Sequence, residues 1–84
     1  MEREEIFEVV SKHLRRNVEG LEGVTFKLEA SMAEYGASSL DMVEVVSCTI
    51  RELGLKVPRT ELVGARNLGE LVEILARASG KVLC

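Results

Sequence analysis

Tryptophan is absent from this chain, and only Phe7, Phe26 and Tyr35 are aromatic. That scarcity argues against a strand-built core, which draws on aromatic and β-branched side chains. Aliphatic residues supply most of the 46% that is hydrophobic, a composition suited to packed helices. Basic excess is missing too, since 14 acidic and 11 basic residues leave a net charge of −3. Binding a phosphate backbone needs a basic face, so nucleic acid is not an expected partner. Histidine occurs once, at His13, and cysteine twice, at Cys48 and Cys84. That set is too small for a structural zinc site, and no metal is expected. No run of about 18 apolar residues exists to cross a membrane. The charged opening MEREEIFEVV does not read as a signal peptide, so the expected location is the cytoplasm, with both thiols reduced.

What is present has helical periodicity. Eighty-four residues make one domain, expected to span 1–84 without repeat or linker. Ile6, Val9, Val10 and Leu14 set a first helix over about Glu2 to Val18. Glu19 to Gly36 holds no sustained period and reads as a long loop pinned by Val24, Phe26 and Leu28. A second helix is predicted from Ser39 to Leu53, stopped by Gly54. Val43, Val46, Ile50 and Leu53 fall on one side of it, and Asp41, Glu44, Cys48 and Glu52 on the other. Met42 and Val45 flank the polar stripe, and Met42 reads equally as core or as interface. After Pro58, Arg59 to Gly64 suits a short helix. A last helix starts at Asn67 with Glu70 three residues on, near a capping box, and carries Leu68, Leu71, Val72 and Leu75. It is expected to end near Ser79-Gly80, with residues 81–84 frayed. The expected fold is all-α: a small antiparallel bundle of three main helices and one short one, with a long first loop.

Catalytic groupings are hard to assemble from these residues. Asp41 and Glu44 share a helix face, but adjacent surface carboxylates are ordinarily just solvated. His13 has polar neighbours and reads as a surface residue, so no Ser-His-Asp or Cys-His arrangement is indicated. Cys48 reads as a small residue at a semi-exposed position rather than a reactive thiol. Ser39 sits where a helix begins and has two readings. It serves as an N-cap and nothing more, or it is a hydroxyl placed for phosphate attachment, since free N–H groups and the helix dipole favour an anion there.

Gly36-Ala37-Ser38-Ser39-Leu40-Asp41-Met42-Val43-Glu44 resembles the phosphopantetheine attachment motif of acyl carrier proteins, with Gly36, Ser39, Leu40 and Glu44 in register. The likeness extends to the layout of nearly the whole chain, through the final Asn67-Leu68-Gly69-Glu70-Leu71. One position departs: Ser38 stands where the family usually has aspartate. The resemblance implies a non-catalytic carrier. A separate phosphopantetheinyl transferase would move 4'-phosphopantetheine from coenzyme A onto Ser39, and the arm's thiol would hold acyl groups as thioesters. It also implies that Leu40, Asp41, Met42, Glu44 and Val45 meet partners such as an acyltransferase or a ketosynthase. Leu40 and Met42 would offer apolar contact, and Asp41 and Glu44 would steer encounter with basic patches.

The second helix holds few acids for a fatty-acid-synthesis carrier and has Arg51 near its end, which tilts the expectation toward a polyketide pathway. Met1 followed directly by a helical pattern suggests a discrete protein rather than an excised domain, and a monomer is expected. Two competitors stand beside this reading. An aminoacyl or peptidyl carrier shares the arm, and an unmodified helical adaptor would use Ser39 only as a cap.

Overall fold

The computed structural model describes residues 2–83, and side chains throughout that span except those of 59, 63 and 79–83. Four α-helices follow in order: α1 (Arg3–Asn17), α2 (Ser39–Leu53), α3 (Arg59–Val63) and α4 (Leu68–Leu83). A single 3-10 turn, Met32–Tyr35, interrupts the long α1–α2 connection. No strand occurs among the described residues. The all-α bundle with a long first loop is therefore the architecture observed.

Local chemistry accounts for the helix ends. Glu4 and Glu5 sit in the first turn of α1 and Arg15 and Arg16 in its last, each complementing the local end of the dipole. Helix α2 stops at Gly54, whose φ of 67° is left-handed backbone that glycine enters without a Cβ clash. The N–H of Leu55 returns to the Ile50 carbonyl at 3.1 Å and closes the end. At the head of α4 the Asn67 side chain accepts the Glu70 N–H at 2.8 Å. The Glu70 carboxylate reaches back one residue further than a capping box, to the Arg66 N–H at 3.1 Å. The helix then continues to Leu83 instead of ending at Ser79-Gly80, because a glycine in a helix interior costs only about 1 kcal/mol and does not oblige a stop. Cys84 lies outside the described residues.

The core forms where α1 meets α2 and α4 and where α3 bridges α2 and α4. Ile6, Val10 and Leu14 of α1 are fully buried at i, i+4 and i+8. Leu68, Leu71, Val72 and Leu75 of α4 and Leu62 of α3 complete most of the interior. On α2 the buried arc differs from the expected stripe: it centres on Val45, Val46 and Thr49, whereas Val43 reaches the surface. Thr49 looked polar in sequence, yet its hydroxyl donates to the Val45 carbonyl at 2.7 Å, which lets the residue enter the core. Sandwiched between α1 and α3, α2 buries the wide arc from Val45 round to Ile50.

Of the three expected apolar pins, Phe26 holds the long loop, Val24 helps in part, and Leu28 does not. Phe26 is buried, meets Tyr35 edge-to-face at 4.9 Å between centroids, and lies under the Arg15 guanidinium at 4.8 Å. Val24 is half-buried, but Leu28 is 46% exposed. What fixes residue 28 is its backbone, whose carbonyl accepts the Gly69 N–H at 2.8 Å. The Ala30 carbonyl accepts the Leu68 N–H at 2.9 Å, so the loop satisfies two donors at the head of α4.

His13 is not a surface residue: it is 7% exposed, at the α1–α2 seam, with Nε2 2.9 Å from Glu52 Oε1. A carboxylate only accepts, so Nε2 carries the proton. Lys12 Nζ donates to the other Glu52 oxygen at 2.6 Å. That Lys12 bond, with His13 adding to it, outweighs desolvation and holds the Glu52 carboxyl below its usual range. Glu73 is lowered in the same way, chiefly by the two hydrogen bonds from Arg3. Both groups titrate lower folded than unfolded. Their contribution is therefore complete above the unfolded carboxylate range, about pH 4.3, and is lost as pH falls through the folded values. Melting followed by circular dichroism should show a falling midpoint from pH 6 to pH 3, and a smaller fall in Glu52→Gln.

Candidate functional site

The approach to α2 is built in three steps. Ser31 and Glu34 form a reciprocal box around the 3-10 turn, the Ser31 N–H donating to Glu34 at 2.6 Å and the Glu34 N–H to Ser31 Oγ at 3.3 Å. Gly36 then turns the chain through φ 89°, with open space where a Cβ would stand. The left-handed conformation itself, rather than crowding, calls for glycine there. Ala37 drops into the core and anchors the segment.

Ser38, not Ser39, is the N-cap of α2. Its Oγ accepts the Asp41 N–H at 3.1 Å, and its N–H donates to Asp41 Oδ2 at 3.0 Å. Reading Ser39 as the cap is thereby overturned, since one helix end needs one cap and the preceding serine supplies it. Ser39 is the first helical residue and is exposed. Its hydroxyl makes no side-chain hydrogen bond among the described residues. The Met42 N–H goes to the Ser38 carbonyl at 3.0 Å, so the N–H groups of Ser39 and Leu40 are the two left over at this helix end.

The expected contact residues divide by burial. Leu40 is 82% exposed, an unusual setting for a large aliphatic side chain, and Glu44 is exposed one turn on. Asp41 is half-buried and committed to the capping box. Met42 is half-buried and packs against the core, leaving part of its surface outside. Val45 is fully buried, which corrects its expected place on the contact face: it lies at the centre of the arc facing α1 and α3 and has no surface to offer. Val43 replaces it. This residue, assigned to the core from sequence, is exposed and shares the outer face with Leu40 and Glu44. Its i+3 spacing from Leu40 was the available signal.

Acid–base chemistry has no support at this place. His13 meets Glu52, thirteen residues along α2 from Ser39, about 20 Å at 1.5 Å per residue. Among the described residues no group of three His, Cys, Asp or Glu side chains gathers to hold a metal ion. Also among them, no helix is long and apolar enough to cross a membrane. Cys48 is free and half-buried, as expected.

A family model described as a phosphopantetheine attachment site matches residues 5–75. The chain is 39% identical over 75 residues to the polyketide biosynthesis acyl-carrier-protein AcpK of Bacillus subtilis, covering 89% of this chain and 92% of that one. It is 35% identical over 75 residues to an acyl carrier protein of Saccharopolyspora erythraea, covering 88% of this chain and 78% of the relative. Its fold superposes with a TM-score of 0.85 and 30% identity on a chain of the crystal structure of the curacin biosynthetic pathway HMG synthase in complex with an acetyl-donor acyl carrier protein. That match covers 92% of this chain and 99% of the other.

Proposed function

The chain belongs to the acyl carrier protein family, and from that premise we propose that Ser39 bears the phosphopantetheine of a carrier working in polyketide biosynthesis. The observation that carries Ser39 is the division between the two serines: Ser38 is spent on the cap, while the Ser39 hydroxyl is exposed and unengaged. The residues fit a phosphate ester there. The leftover N–H groups of Ser39 and Leu40 lie beside that hydroxyl at the positive end of the α2 dipole. When bound, the arm supplies a terminal thiol that holds acyl groups as thioesters.

The chain's own residues orient and present. The Gly36 turn, the buried Ala37 and the Ser38–Asp41 box set where α2 begins and so where Ser39 stands. Leu40 and Val43 give partners an apolar patch, part of Met42 extends it, and Glu44 adds charge that favours encounter with basic surfaces. A separate phosphopantetheinyl transferase installs the arm, and acyl-processing enzymes, an acyltransferase or a ketosynthase among them, load and unload it. The carrier itself acts as a monomer and raises the local concentration of the acyl group at their active sites. The Bacillus relative's polyketide assignment supports that pathway for this chain.

Leu40→Asp should leave the melting midpoint unchanged within a degree or two, because a side chain so exposed adds little to the core. The same change should lower kcat/KM for transferase loading about tenfold or more, as loss of an exposed apolar anchor does at an interface. The carrier reading itself is tested by intact-mass spectrometry after incubation with coenzyme A and a broad-specificity transferase. A gain of one phosphopantetheine is expected. No gain with any of several transferases would favour the unmodified adaptor.

A further inference from the structure

Two adjacent serines head α2, and their surroundings differ in kind. Ser38 is held at both of its polar ends: its hydroxyl oxygen takes the Asp41 N–H and its own N–H goes to the Asp41 carboxylate. Its backbone is extended, φ −79° and ψ 173°, so it stands outside the helix and aims the chain into it. Ser39 follows with helical backbone and an unengaged hydroxyl. We propose that Ser38 is a positioning residue for the modification of Ser39, acting through the cap it shares with Asp41. This inference rests on Ser39 being the attachment residue.

Four N–H groups at a helix start lack helical partners, and the first turn opens readily when none is satisfied. In an opened turn Ser39 would sample extended as well as helical backbone, and its hydroxyl would point in several directions. A transferase needs the oxygen in one place relative to the phosphorus it attacks, so loading slows in proportion to the time spent open. The capping box suppresses that opening and leaves Ser39 itself uncommitted. Ser38 Oγ already accepts the Asp41 N–H, whereas the Ser39 hydroxyl has no such tie. Asp41 acts in the same unit, since its carboxylate is already bonded to the Ser38 N–H.

The test uses the full apo chain, coenzyme A and a broad-specificity transferase, with initial rates read by intact mass. Rates are taken well below each variant's measured unfolding midpoint, where a general loss of stability leaves the folded fraction and hence the rate unchanged. Ser38→Ala should lower kcat/KM more than about twofold and at most about fivefold, the upper limit being the full ratio equivalent to one cap at about 1 kcal/mol. Ser38→Asn, a neutral cap as strong as serine, should return the rate to within about twofold of the wild type. Loading of Ser38→Ala at the wild-type rate, or of Ser38→Asn as slowly as Ser38→Ala, would overturn the proposal. Failure of the underlying reading looks different: wild-type protein gains no arm, or Ser39→Ala still gains one.

Discussion

Ser39→Ala is expected to end phosphopantetheine loading completely while leaving the fold intact. Alanine removes the only exposed, unengaged hydroxyl at the head of α2, and the neighbouring Ser38 hydroxyl stays committed to the Asp41 N–H. The structural cost should be small. Ser39 is a surface residue with no side-chain hydrogen bond to lose, and alanine is the better helix former. Surface substitutions of this kind usually stay within about 0.5 kcal/mol. Intact mass after transferase treatment, read with a thermal melt of the same sample, checks both halves. An unmodified protein with a wild-type melt is the expected pair of results. Loading of the variant would mean that another hydroxyl carries the arm.

The largest expected loss of stability comes from Leu14→Ala. Leu14 is fully buried on the α1 face that also holds Ile6 and Val10. Truncating a buried leucine forfeits its transfer free energy and leaves a cavity, together about 2–5 kcal/mol. A chain this size has roughly 4–13 kcal/mol in all, so a single change removes a large part of the total. Urea denaturation should show a much lower midpoint with a similar slope, because the surface exposed on unfolding is nearly the same. The contrast with Leu40→Asp is instructive, since one leucine holds the fold and the other stands almost bare on the surface.

Most of this fold was legible because helices of this chain repeat strongly. The α2 limits, Ser39 to Leu53 with Gly54 beyond, follow from a turn-forming stop and an uninterrupted pattern. Reading failed where a side chain's polarity did not reveal its partner. His13 looked like a surface residue, and it is buried because the Glu52 carboxylate satisfies it; Thr49, polar and given no place in the expected stripe, is buried because the Val45 carbonyl does the same. Once Thr49 is inside, the buried arc of α2 turns with it. That carries Val45 in and leaves Val43 out.

The site was legible in its motif but not in its division of labour. Two consecutive serines give no local signal of which one caps, and the answer depends on a carboxylate three residues on. Asp41 looked like an encounter charge, and its tie to the Ser38 N–H shows it inside the cap as well. The long loop was misread for a related reason. Leu28 appeared to be an apolar pin, whereas residue 28 holds its place through a carbonyl that accepts the Gly69 N–H, which no side-chain pattern reports.

The most direct test of the account is to locate the arm. The wild-type chain, loaded by a transferase, is cleaved and the peptide spanning Gly36 to Glu44 is fragmented by a method that keeps the phosphodiester intact. Fragment ions that place the added mass on Ser39, with Ser38 unmodified, are predicted. Mass on Ser38, or on any residue outside this peptide, would contradict the claim that Ser39, next to the capping serine, carries the acyl group.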